Sequence, residues 1–265
     1  MNKFVSSIGP AIESDIMAEL NKIETEYDIK ILFAVESGSR AWGFPSPDSD
    51  YDVRFVYIQK RDWYLSLFPG RDVIERPISD ELDVSGWDIK KALGLMLKPN
   101  PVMLEWLSSP IHYIWDHGAC EKLISFSQKP AHHSACLYHY LNLGRSGYNQ
   151  SLGREKTIKL KKYFYILRPA LAIRWMRLHP DVIPPMNIQA LIEKLEIDPS
   201  IVAIIEDLIR RKSTLDEREN FHRIEALDKF ITEEFEWAEN TPKSKLKKDL
   251  TPEANALFLE LLASY

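Results

Sequence analysis

Every glycine of this 265-residue chain lies at or before Gly153, and the last 112 residues contain none. Glycine marks tight turns and points of close backbone approach, so its confinement predicts a turn-rich first half followed by helices. Hydrophobic periodicity agrees. Ile12, Ile16, Met17, Leu20 and Ile23 recur at helical spacing between Glu13, Asp15, Glu19 and Lys22, which reads as one amphipathic helix. Ile29 to Val35, Tyr51 to Ile58 and Leu82 to Trp87 read as strands, the last followed by a helix from Asp88 to about Leu97. Asn100 and Pro101 open a short helix carrying Leu104, Trp106 and Leu107. After about Asp116 only helices are expected. Leu160, Phe164, Leu167, Leu171 and Trp175 mark the apolar face of a long one, in which Pro169 predicts a kink. Ile188 to Leu195, Ile201 to Arg210, Phe221 to Phe235 and Pro252 to Leu262 read as four more. The expected fold class is therefore α+β: a domain with a small sheet over residues 1–116, then an all-α helical domain over 117–265. The lysine-rich Thr241 to Asp249 reads as an exposed linker.

Composition removes several function classes. The longest apolar stretches, such as Ile31 to Val35, run five residues, far short of the roughly 18 that span a bilayer. Pro10, Glu13 and Asp15 interrupt any signal-peptide pattern, so a cytoplasmic protein with no membrane partner is expected. Cys120 and Cys136 cannot supply a disulfide framework, nor by themselves a four-ligand zinc site. A net charge of −5 argues against a surface coated in basic residues for nucleic acid. The average hides a local excess: from Arg145 to His179 there are nine Lys or Arg residues and one acid, Glu155.

The chemistry concentrates in "ESGSRAWGFPSPDSDYDVRFVY". On a strand alternate side chains share a face, so Asp50, Asp52 and Arg54 are expected to project together. Two neighbouring carboxylates repel unless a cation lies between them, and hard oxygens of this kind suit Mg²⁺ shared with substrate phosphates. Gly38 and Ser39 follow the preceding strand, where a backbone lacking Cβ can approach a phosphate and a hydroxyl can donate to it.

These residues resemble the DNA polymerase β-like nucleotidyltransferase superfamily, whose signature is Gly-Ser after one strand and Asp-hydrophobic-Asp on the next. More closely, "GSRAWGFPSPDSDYDVR", "GWDIKKAL", "NPVMLEWL" and "KKYFYILRPALAIRW" look like the predicted nucleotidyltransferases grouped as the RNA-repair-pathway polymerase β family. The resemblance spans about residues 38 to 175. It implies a small mixed-sheet nucleotidyltransferase domain with a helical second domain. It further implies transfer of a nucleoside monophosphate from an NTP to a hydroxyl, with an RNA end among the acceptors that fit. Two Mg²⁺ ions, replaceable by Mn²⁺, would be held by Asp50, Asp52 and a third carboxylate. Asp83 is chosen for its place on the third strand; Asp88, the rival, also fits a helix N-cap. Gly38 and Ser39 would hold the β- and γ-phosphates, and Arg54 would join the nucleotide site. Lys161, Tyr165 and Arg168 fall at i, i+4 and i+7 on one helix face beside Lys162, and would bind triphosphate or stack on a base.

Plainer readings compete. Asp48, Asp50 and Asp52 resemble the start of an EF-hand loop, but Val53 and Gln59 stand where glycine and glutamate are required. His132, Cys136 and His139 share a helix face without an evident fourth ligand, so a structural role is favoured. Trp87 and Trp106 read as core, with Trp42 left open, and Glu36 could pair with Arg40 or Arg54. No Gly-Lys-Ser/Thr phosphate loop is present. The competing function class is a catalytically silent nucleotide- or RNA-binding module.

Overall fold

The structure is a computed structural model that describes residues 4–78, 81–98, 100–129, 133–151, 157–214, 220–242 and 248–265. In chain order the first elements are α1 (Pro10–Tyr27), β1 (Ile29–Glu36), α2 (Gly38–Trp42), β2 (Tyr51–Gln59), α3 (Arg61–Tyr64), β3 (Val73–Glu75) and β4 (Leu82–Asp88). Next come α4 (Ile89–Leu97), α5 (Pro101–Leu107), β5 (His112–Trp115) and α6 (His117–Ser127). The remainder is α7 (His133–Ser151), β6 (Thr157–Lys159), α8 (Leu160–Leu178), α9 (Ile188–Glu193), α10 (Pro199–Lys212), β7 (Asn220–His222), α11 (Glu225–Asn240) and α12 (Thr251–Leu262).

Two compact units result. The sheet unit comprises Ser6–Ala41, Asp50–Ala131 and Leu246–Tyr265; the helical unit comprises Met1–Val5, Trp42–Ser49 and His132–Lys245. This division differs from a single cut after residue 116. Helix α6 stays with the sheet because Ala119, Cys120 and Leu123 pack into its core. Helix α12 rejoins the sheet unit because Ala254, Leu257 and Leu261 belong to that same core.

The sheet runs in the order β3-β4-β2-β1-β5, with β2 and β4 parallel and the other pairs antiparallel. It is the small mixed sheet expected. Strand alternation sends Val53, Phe55 and Tyr57 to one face, where Ile16, Leu20 and Ile23 of α1 cover them. Val56 and Ile58 point to the other face, against Ile89, Leu93 and Met96 of α4 and the α12 side chains. The rings of Trp87 and Trp106 stack there at 3.9 Å; Trp106 is in the core as expected, and Trp87, only partly buried, packs against it. At Gly86 a Cβ would overlap the Phe55 ring. Gly86→Ala is therefore expected to destabilise the protein by about 1–3 kcal/mol, the usual range for overpacking. Urea denaturation would show a lower midpoint at unchanged slope.

In the helical unit α7, α8 and α11 pack on one another. Leu160, Phe164, Leu167, Leu171 and Trp175 are all buried, as their spacing predicts. The segment Trp42–Ser49 is bound into this unit. Phe44 stacks on Phe164 at 4.5 Å, Gln189 Nε2 donates to the Gly43 carbonyl at 2.6 Å, and buried Lys212 donates to Ser46 Oγ at 3.2 Å. A helices-only reading after residue 116 misses the antiparallel β6–β7 ribbon, in which Ile158 pairs with Phe221. Phe221 thus lies in a strand, and α11 begins only at Glu225. The expected linker falls partly outside the described residues.

Candidate functional site

Strand β1 ends at Glu36, and the chain turns at once through Gly38 into α2. Gly38 has φ +58, and a Cβ built on it would overlap the Asp52 carboxylate. Both facts require glycine: the left-handed backbone disfavours other residues, and the close approach leaves no room for a side chain. Ser37 N–H donates to the Asp52 carbonyl at 2.8 Å, and Asp52 N–H donates to Glu36 Oε1 at 2.9 Å. The residues that lead into the Gly-Ser turn are thus tied to the second aspartate of the motif, Ser37 through a main-chain bond and Glu36 through its carboxylate. Ser39 follows at 8% exposure.

Glu36 is the residue the sequence reading undervalued. It is fully buried and fixed by Asp52 N–H on one oxygen and by Tyr113 Oη–H, at 2.6 Å, on the other. Burial dominates and raises its carboxyl to about 7, against the lowering effect of those two hydrogen bonds. A glutamate closing an apolar run was the available signal.

The parallel register of β2 and β4 pairs Asp52 with Asp83. Arg54, two residues along β2, lies on the same face and spans them: Nη2 donates to Asp52 Oδ1 at 3.1 Å and to Asp83 Oδ2 at 2.6 Å. Its Nη1 donates to the Val53 and Asp83 carbonyls at 3.0 and 2.8 Å. Asp88 does something else. It N-caps α4 through Lys90 N–H and accepts from Tyr64 Oη at 2.6 Å, and burial raises its carboxyl above the usual range.

Asp50 lies one residue before β2 and is exposed, rather than within the strand as the alternation argument supposed. Its carbonyl accepts from Arg40 Nε at 3.2 Å, and the Arg40 guanidinium stacks on the Tyr51 ring at 3.8 Å, which fixes the strand's entry. Among the described residues no group of three His, Cys, Asp or Glu is arranged to hold a metal ion. The fit to a hard cation rests instead on Asp52 and Asp83, two carboxylates already bridged by a single cationic nitrogen. His132 lies outside the described residues; Cys136 is buried.

The basic helix α8 divides along its length. Lys161, Lys162 and Tyr165 are exposed near its start. Arg168 is 3% exposed, donates to the Met186 carbonyl at 3.1 Å and lies 4.8 Å from the Trp42 ring centroid. Arg174 and Arg177 bind buried Glu234 at 3.0 and 3.6 Å. Helical spacing put Arg168 beside Tyr165, but the boundary between core and solvent falls between them. Trp42 packs edge-on to Tyr165 with centroids 5.3 Å apart.

Comparison with known proteins extends the resemblance over nearly the whole chain. A sequence model described as the RNA repair pathway DNA polymerase beta family matches residues 12–260. An uncharacterised protein of Bacillus subtilis (strain 168), YcgL, is 45% identical over 246 residues, which is 92% of this chain and 94% of that protein. A nucleotidyltransferase-like protein from Exiguobacterium sibiricum aligns structurally over 94% of this chain and 80% of its own, at 12% identity. Its TM-score of 0.29 is too low for the likeness to carry inference. Among the described residues no helix is long and apolar enough to cross a membrane.

Proposed function

Because the chain belongs to the RNA repair pathway DNA polymerase beta family, we propose that it is a Mg²⁺-dependent nucleotidyltransferase. It moves a nucleoside monophosphate from an NTP to a hydroxyl acceptor and releases pyrophosphate. The observation that supports this best is Asp83 in register with Asp52, whose carboxylate fills the space Gly38 leaves open. Asp52 and Asp83, joined by Asp50, are the residues that would hold Mg²⁺. Held there, the metal would supply neutralisation of charge on the attacking and leaving oxygens.

The chain's own groups do the rest. Glu36 and Ser37 fix the main chain of Asp52 and so the position of its carboxylate. The Gly38 backbone and the Ser39 hydroxyl are the groups assigned to the β- and γ-phosphates. Arg54 is assigned to the same nucleotide site, and reaching a phosphate requires it to release its carboxylates. In the helical unit, Lys161 and Lys162 are the exposed cations assigned to phosphate and Tyr165 the ring assigned to a base. Arg168 is committed to that unit's interior, where it serves by holding α8.

A second reading has one observation in its favour. Arg54 already neutralises Asp52 and Asp83, as expected of a nucleotide- or RNA-binding module without turnover. The deciding experiment incubates the protein with each labelled NTP and Mg²⁺, with and without RNA bearing a free 3′ hydroxyl. Pyrophosphate release with transfer of label is the expected result. Label on RNA identifies an end-modifying enzyme, label on protein a protein-modifying one. Nucleotide binding without pyrophosphate from any NTP would leave only the silent module.

A further inference from the structure

We propose that Arg54 is a resident counter-ion of the Asp52–Asp83 pair, so that a divalent cation can load only by displacing its guanidinium. The proposal rests on the nucleotidyltransferase reading and adds a role for Arg54 in the metal's arrival. Adjacent carboxylates on paired strands repel, and the sheet needs a cation between them when no metal is bound. Arg54 supplies it with one nitrogen, Nη2, bonded to both carboxylates.

The other nitrogen makes the arrangement specific. Nη1 is held by two main-chain carbonyls, Val53 and Asp83, which do not move when a carboxylate turns toward another ligand. The guanidinium can therefore surrender both carboxylates and still remain anchored at the strand pair. Access is open as well: the side chains of Arg54, Asp52 and Asp83 are 17%, 28% and 31% exposed, so the exchange needs no local unfolding. A charge-assisted pair of this kind is worth about 1.5–3 kcal/mol, a tax on cation binding of about tenfold or more. Without a nucleotide to supply further ligands, the wild-type site is expected to bind divalent cations weakly.

A purely structural arginine makes the opposite prediction, since removing it would loosen the carboxylates and weaken or leave unchanged any cation site. The test is Mn²⁺ binding to the full chain without nucleotide, read as loss of the free-ion electron paramagnetic resonance signal. Arg54→Gln is expected to bind Mn²⁺ about tenfold tighter than wild type. Arg54→Lys keeps the charge but cannot span both carboxylates and both carbonyls, and is expected to bind about threefold tighter. Circular dichroism melts report whether each variant folds. If Arg54→Gln does not, Arg54→Lys alone decides. Affinity equal to or below wild type in the folded variants overturns the proposal. Asp52→Asn separates this failure from that of the metal site itself. Loss of Mn²⁺ binding in that variant locates the signal at the pair. Undiminished binding there removes the metal assignment, and the proposal with it.

Discussion

Asp52→Asn is expected to lower nucleotidyl transfer by on the order of a thousandfold while leaving the melting temperature nearly unchanged, since its charge acts on the transition state. Asparagine has almost the same volume, so it fits against Gly38, and its oxygen can still accept from Arg54. The negative charge alone is lost. Asp83→Asn should behave alike, because Asp83 is the register partner of Asp52 across β2 and β4. Asp88→Ala is the contrasting case. It removes the N-cap of α4 and the acceptor of the Tyr64 hydroxyl. The cost is about 1 kcal/mol of stability or somewhat more, with transfer retained. Pyrophosphate release and thermal melts on the three variants would check the ordering. Wild-type turnover in Asp52→Asn would remove this residue from the reaction.

Stability of the metal-free protein should fall by about 3 kcal/mol between pH 4.5 and pH 8 through Glu36 alone. The native carboxyl titrates at about 7, against 4.5 for a free glutamate, because burial disfavours its charge. The folded state therefore binds the proton more tightly than the unfolded state. That contribution is fully present below about pH 4.5 and is lost as pH rises through about 7. Glu36→Gln keeps an acceptor for Asp52 N–H and abolishes the titration. Urea unfolding across this range should give a falling curve for wild type and a flatter one for the variant. Parallel curves would mean that Glu36 is charged in both states.

What the sequence made legible follows from the range over which each feature is determined. Strands β1, β2 and β4 announced themselves through apolar runs and alternation, and a place on the third of them was the ground for preferring Asp83 over Asp88. Strand β3, three residues, and β5, four, are too short to show a period. The same holds for the five-residue α2 and for Phe221, whose apolar side chain reads equally well in a helix or a ribbon. Pairings set by register were out of reach. Arg54 finds Asp83 across 29 positions, and Glu36 finds Tyr113 across 77. The nine-to-one basic excess was real, but buried Arg168 and half-buried Arg174 are turned into the helical unit, onto a carbonyl and a buried glutamate that the exposed Arg177 also pairs with. Charge counting cannot distinguish a cation that faces solvent from one that holds a core together.

The return of α12 to the sheet unit has a consequence for how the protein comes into being. A nascent chain grows at about 5–20 residues per second, and its domains tend to close in order of synthesis. Here all five strands have been made once synthesis passes Trp115, yet the face bearing Val56 and Ile58 waits for Leu250, Ala254, Leu257 and Leu261. Throughout the making of the helical unit that face lacks part of its cover, the condition in which a growing chain most needs a chaperone's shelter. The carboxylate-bearing unit, whose strands precede α7 to α11 in synthesis, is completed only after those helices have been made.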